Sequence, residues 1–153
     1  MTRTLRRALV GVLSTSALLA GLTVGAAGQA SADVADISHM AKGETLWGGE
    51  YIARWVSNNG NDYLDSFEMQ YDGNLVLYRI GPYGWKQPCW ATGTNGSGAT
   101  HVTYQSDGNL VLYTNSGRAV WASDSQWGAG STVDINWRGI VYVGVKPITG
   151  TCN

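Results

Sequence analysis

The chain has 153 residues, with 10 Lys and Arg against 11 Asp and Glu and a net charge of −1. Arg3, Arg6 and Arg7 precede every acid, so from Asp33 onward seven bases face 11 acids, a net −4. That balance excludes a basic surface for nucleic acid or acidic lipid, and the length beyond residue 32 supports one hydrophobic core rather than two domains.

Residues 1–32 read as an export signal. A head carrying Arg3, Arg6 and Arg7 leads into an apolar run diluted by Gly, Ser and Thr, and Ala30-Ser31-Ala32 supplies small residues for a peptidase. The dilution and the cleavage-like triplet argue against an uncleaved anchor, so no membrane insertion is expected. The Arg6-Arg7 pair also suits twin-arginine export, which leaves the route open. All 7 Trp and all 8 Tyr lie beyond this segment beside a single Phe. Such polar-edged rings fit both cores with wet margins and sugar-facing surfaces.

The middle of the chain carries an internal repeat. Gln70-Tyr71-Asp72-Gly73-Asn74-Leu75-Val76-Leu77-Tyr78 returns 35 positions later as Gln105-Ser106-Asp107-Gly108-Asn109-Leu110-Val111-Leu112-Tyr113. A second word follows each copy, Trp90-Ala91-Thr92 and then Trp121-Ala122-Ser123, at an offset of 31. Fixed words joined by a variable connection mark a repeated supersecondary unit. Asp-Gly between Val- and Leu-rich stretches predicts a β-hairpin in each copy. A two-residue turn would set Gln70 against Leu75 and mix the faces. A three-residue turn, Tyr71-Asp72-Gly73, pairs Met69 with Leu75, Glu68 with Val76 and Phe67 with Leu77, and places Gly73 where a left-handed backbone is needed.

In that register Phe67, Met69, Leu75 and Leu77 share the buried face, matched by Val102, Tyr104, Leu110 and Leu112. The opposite face shows Gln70, Asp72, Asn74, Val76 and Tyr78, and again Gln105, Asp107, Asn109, Val111 and Tyr113. A structural strand has no need of the same outward polar set twice. Amides, an ionised carboxylate and a phenol over a small apolar floor complement the vicinal hydroxyls and ring carbons of a pyranose.

Cys89 and Cys152 are the two cysteines. In an exported chain they form one disulfide, which ties down the C-terminal tail and contributes roughly 4 kcal/mol in the loop-entropy treatment. A metal site would need more ligands of this kind. No cofactor is implied, and no catalytic constellation appears. His39 and His101 lack a sequence-near nucleophile, and Asp72 and Asp107 belong to separate repeats, whereas glycoside hydrolysis needs two carboxylates about one bond.

Gln-x-Asp-x-Asn-x-Val-x-Tyr, present at 70–78 and 105–113, resembles the sugar-binding motif of the bulb-type, monocot mannose-binding lectins. Gly43-Glu44-Thr45-Leu46 and the Trp-Ala words extend the likeness, which together with the export signal describes a secreted, bacterial-like member. The resemblance implies an all-β fold, a β-prism of three four-stranded antiparallel sheets with pseudo-threefold symmetry. It divides the chain into a signal at 1–32, a lead-in at 33–42 and a lectin domain at 43–153. It also implies metal-free binding of mannose-containing glycans. Asp72 and Asn74 would contact the axial 2-hydroxyl that separates mannose from glucose, Gln70 and Tyr78 the neighbouring hydroxyls, and Val76 the ring carbons, with Gln105, Asp107, Asn109, Val111 and Tyr113 repeating these roles. Sites of this kind are weak singly, so avidity from two sites or from a homodimer is expected.

A third copy is implied at Asp134-Ile135-Asn136-Trp137-Arg138-Gly139-Ile140-Val141-Tyr142. Aligned on Tyr142, it offers Asp134, Asn136, Arg138 and Ile140 at the motif positions, with Trp137 in place of the turn glycine. Arg accepts no hydrogen bond, so this site is read as degenerate, with Asp134 and Arg138 pairing across the hairpin. A different role on the same scaffold, an antimicrobial or inhibitory protein-interaction factor, is the alternative to sugar binding.

Overall fold

The computed structural model describes residues 38–152; the export signal read at 1–32 lies outside them. Twelve strands follow in order, and each of three antiparallel sheets takes four of them. Sheet I is a meander of β3 (Tyr51–Asn58), β4 (Asn61–Met69), β5 (Leu75–Ile80) and β6 (Lys86–Ala91). Sheet II joins β7 (Ala99–Tyr104), β8 (Leu110–Thr114) and β9 (Ala119–Ala122) to the distant β2 (Thr45–Trp47). Sheet III joins β10 (Thr132–Ile135), β11 (Val141–Val143) and β12 (Lys146–Pro147) to β1 (His39–Ala41). This is the expected prism arrangement of three four-stranded antiparallel sheets. The segment 38–58 thus gives one strand to each sheet. Residues 39–41, set aside as lead-in, prove to be a strand: three residues are too few to show an alternation, and their backbone pairs with β10, His39 opposite Asp134.

The hairpin register follows the face argument. Met69 stands opposite Leu75, Glu68 opposite Val76 and Phe67 opposite Leu77; Tyr104, Thr103 and Val102 face Leu110, Val111 and Leu112 in the same way. Gly73 and Gly108 take φ of 91° and 89°, a backbone region that side chains rarely adopt. A one-residue slip would turn every apolar side chain outward, so burial of one face holds the register.

Each sheet sends an equivalent quartet inward. Phe67, Met69, Leu75 and Leu77 meet Val102, Tyr104, Leu110 and Leu112 and also Val133, Ile135, Val141 and Val143, and none is more than 2% exposed. Full burial of such side chains contributes about 1.5–3 kcal/mol apiece before chain entropy is counted. Trp90 and Trp121, opposite Leu77 and Leu112, meet edge to face at 5.9 Å. In sheet III the corresponding residue opposite Val143 is Lys146, whose Nζ donates to the carbonyls of Ser123 (2.8 Å) and Asp124 (3.0 Å). The third sheet therefore closes with a cation on backbone oxygens where the others use indoles.

The C-terminal tail is fastened twice. Cys89 of β6 is bonded to Cys152, their Cα atoms 5.1 Å apart. Beneath it Arg79 donates to both carboxylate oxygens of the fully buried Asp65, at 2.8 and 2.7 Å, and to the carbonyl of Cys152. The Asp65 hydrogen bond raises the Arg79 pKa further above its usual value.

Candidate functional site

Sheet I presents the first motif on its outward face. The turn closes with Gln70 N–H donating to the Asn74 carbonyl (2.8 Å), and Asn74 N–H donates to Asp72 Oδ1 (2.9 Å), so the carboxylate is aimed by its own backbone. Gln70 Nε2 donates to Tyr78 Oη at 2.8 Å, bracing the phenol across the strand. In sheet II the same bonds recur: Asn109 N–H to Asp107 Oδ1 at 2.9 Å, and Gln105 Nε2 to Tyr113 Oη at 2.7 Å. Within each motif the Gln amide is thereby tied to the Tyr phenol and the Asp carboxylate to the Asn backbone, while the Val side chain makes no such contact.

Two residues in each site were not selected from the sequence. Thr92 Oγ1 donates to Asn74 Oδ1 (2.9 Å), the N–H of Thr94 reaches the same oxygen (3.1 Å), and Thr92 Oγ1 also accepts the N–H of Leu75 (3.1 Å). Ser123 and Ser125 repeat this on Asn109 Oδ1, at 3.0 and 3.2 Å, with Leu110 N–H on Ser123 Oγ at 3.0 Å. A backbone N–H can only donate, so the amide oxygen must face inward and Nδ2 is left as the outward group. The signal was present as a doublet, Thr92-x-Thr94 and Ser123-x-Ser125, just after each Trp-Ala pair.

Once these internal bonds are made, each site retains one Asp oxygen, the Asn Nδ2 donors, the Gln Oε1 and the Tyr O–H proton for a ligand. Val76 and Val111, expected as apolar floors, are only 2% and 4% exposed and leave little surface to touch. A cleft of 310 Å³ opens beside the first site at the hairpin tip, between Gly49, Tyr71 and the Gln70–Asp72 edge. Among the described residues no cluster of three or more His, Cys, Asp or Glu is arranged to hold a metal ion, and no helix is long and apolar enough to cross a membrane.

No family model matches the chain. Over 91 residues it is 38% identical to the B-type lectin plumieribetin of Scorpaena plumieri, a stretch covering 60% of this chain and 70% of that one. Its fold aligns with the mannose-specific agglutinin of snowdrop (Galanthus nivalis) complexed with methyl-α-D-mannoside at a TM-score of 0.53 and 34% identity, covering 69% of this chain and 86% of that one. The chain belongs to the bulb-type mannose-binding lectin family. A mannose-specific lectin of Narcissus pseudonarcissus is 45% identical over 76 residues, 49% of this chain and 58% of that relative, so the match spans little more than half of the latter's length. Kinship with these lectins makes the chain a non-enzymatic member.

The third hairpin of this lectin departs from the alignment made on Tyr142. Asn136 N–H donates to the Ile140 carbonyl (2.9 Å) and Gly139 N–H to the Asn136 carbonyl (3.0 Å), the bonds that Gln70 and Gly73 make in the first hairpin. Gly139, with φ of 75°, is the turn glycine, and Trp137 is not. The copy is thus shifted by two residues, because the turn demands a left-handed glycine more strongly than the strand demands a tyrosine. Asn136, Arg138, Ile140, Tyr142 and Gly144 then occupy the motif positions, while Asp134 faces Tyr142 one step outside. The anticipated Asp134–Arg138 pair does not form. Asp134 Oδ2 accepts from Thr132 Oγ1 at 2.9 Å, and the Arg138 guanidinium lies 5.4 Å from the Trp137 ring centre.

Proposed function

We propose that this lectin is secreted and binds mannose or mannose-bearing glycans, without metal, through Gln70, Asp72, Asn74, Val76 and Tyr78 and again through Gln105, Asp107, Asn109, Val111 and Tyr113. The observation carrying this reading is that both motifs, after identical internal hydrogen bonds, keep the same unspent donors and acceptors. An axial 2-hydroxyl would donate to the free Asp oxygen and accept from Asn Nδ2. Tyr O–H and Gln Oε1 would serve the adjoining hydroxyls. An equatorial 2-hydroxyl cannot reach both groups of the Asp–Asn pair, which gives the preference over glucose.

Residues 1–32 are proposed as the export signal, with the lectin domain beginning at β1 rather than at residue 43. The third hairpin, with Arg138 where Asp stands elsewhere, takes no mannose. Single sites of this shallow polar kind bind at about the millimolar level, so useful affinity comes from both sites on one glycan surface or from a homodimer.

The test is binding of methyl α-mannoside and a glycan array by the full chain and by the double variant Asp72→Ala plus Asp107→Ala. Mannoside binding abolished in the double variant supports the reading. Absent or unchanged binding refutes it and favours the protein-interaction role, for which Trp55, Trp127 and Trp137, 65%, 86% and 70% exposed, supply contact surface.

A further inference from the structure

The two motifs match almost residue for residue, yet the sheets differ beside them. In sheet II the row across the strands at the motif tyrosine runs Trp47, His101, Tyr113. The Trp47 and His101 ring centres are 4.5 Å apart, and those of His101 and Tyr113 are 5.9 Å apart and nearly parallel at 27°. This ladder starts at the phenol that accepts from Gln105 and ends two strands away, roughly 10 Å across, on an indole that is 49% exposed. Thr45 and Thr103 hydroxyls, 2.8 Å apart, line the next row on the same face, two residues along each strand. Burial lowers the His101 pKa, so the ladder is uncharged at neutral pH.

In sheet I the same row is Ala53, Ser66, Tyr78, with no second ring. Instead Lys86 donates to both oxygens of Glu68, at 2.9 and 2.7 Å, and its ammonium sits 4.1 Å from the centre of the Tyr78 ring. A pyranose entering there would have to desolvate or displace an ion pair. The cleft beside this motif runs from the hairpin tip to Glu68 itself, so the ion pair stands at its edge.

We propose that Trp47 and His101 form a subsite for a second pyranose adjoining the 105–113 motif, so that this motif reads two linked sugars while its twin at 70–78 reads one. The hydroxyl-bearing first sugar sits over Asp107 and Asn109, and the apolar C–H face of the next sugar stacks on the Trp47 indole. This inference rests on the mannose reading above and divides its two sites into unequal ones.

The experiment titrates methyl α-mannoside and an α-linked mannobiose into the full chain carrying Asp72→Ala, which leaves the 105–113 site, or Asp107→Ala, which leaves the 70–78 site. With the 105–113 site alone, mannobiose binds about tenfold more tightly than the monosaccharide, the scale of one stacking contact. Adding Trp47→Ala reduces that ratio to about twofold or less, Trp47→Phe keeps it, and the 70–78 site alone shows no gain. In the unaltered chain the Trp47 indole N–H resonance shifts with mannobiose and not with the monosaccharide. Equal gains at the two sites, a gain that survives Trp47→Ala, or an unmoved Trp47 resonance overturns the subsite and leaves the mannose reading intact. Failure of methyl α-mannoside to bind either single-site variant overturns both.

Discussion

Replacing Thr92 by Val tests whether the residues behind the motif, and not the motif alone, create the binding face. The two side chains have nearly the same shape, so the change removes a hydroxyl and little else. That hydroxyl accepts the N–H of Leu75 at 3.1 Å and donates to Asn74 Oδ1 at 2.9 Å. Leu75 is fully buried, and its N–H is left without an acceptor. An orphaned buried donor costs about 1–3 kcal/mol, and about 2 kcal/mol corresponds to a Tm lowered by roughly 8 °C in a domain of this size. Asn74 keeps only the Thr94 N–H at 3.1 Å on its oxygen, so its amide can rotate and present the wrong atom. Affinity for methyl α-mannoside at this site should then fall by about tenfold, one hydrogen bond's worth, as read by calorimetry in the Asp107→Ala background. Thr92→Ser keeps the hydroxyl, as Ser123 does in the second site, and should restore both Tm and affinity. A Thr92→Val protein as stable and as active as its parent, or a Ser variant that fails as badly, would refute the reasoning.

Gly73→Ala should destabilise more than Gly108→Ala. Both backbones are left-handed, but a Cβ at 73 meets the Ala99 N and O at 3.1 Å while one at 108 finds nothing nearer than 3.5 Å; denaturant midpoints that rank the other way would exclude this packing. Arg79→Met strands the buried Asp65 carboxylate and should cost about 3–5 kcal/mol, whereas adding Asp65→Leu recovers much of it in urea titrations. His101 has a pKa lowered by burial, so the unfolded chain takes up the proton first as pH falls. Its contribution leaves stability unchanged above about pH 6.5, lowers it from there through the folded value, and then levels off. His101→Gln should flatten that decline, and an identical pH profile in urea unfolding would show that His101 does not cause it.

The first two hairpins were legible because period-two alternation, an Asp-Gly turn and near-identity all pointed to one register, and Met69 opposite Leu75 is the result. The third was misaligned where identity ran out. Tyr142 offered a match by residue type, but Gly139 carried the backbone constraint, and the constraint decides geometry. The hydroxyls behind Asn74 and Asn109 were visible as a Thr-x-Thr and Ser-x-Ser doublet, though nothing in one dimension shows that they face an amide across the sheet. The Glu68–Lys86 bridge was hidden for a further reason. The register of β5 against β6 slips between Leu77 and Tyr78, so no count along the chain places Lys86 above the tyrosine ring.

The short opening strands set the sequence in which the molecule can assemble. β3 joins β4 through a tight turn, so sheet I can form from neighbours in the chain, whereas β2 must wait for β7 and β1 for β10, 95 positions from His39 to Asp134. Closing such spans costs loop entropy before any contact rewards it, which makes the edge pairings of β1 and β2 late, whereas β7–β9 and β10–β12 can form from chain neighbours as sheet I does. A ribosome that releases the amino end first therefore holds Thr45–Trp47 unpaired until β7 has emerged and His39–Ala41 unpaired until β10 has. Clipping residues 39–47, which bear them, would remove an edge from two sheets at once and leave sheet I whole. Pulse-labelled hydrogen exchange during refolding should accordingly protect the paired amides of β4 and β5 before those of β1 and β2.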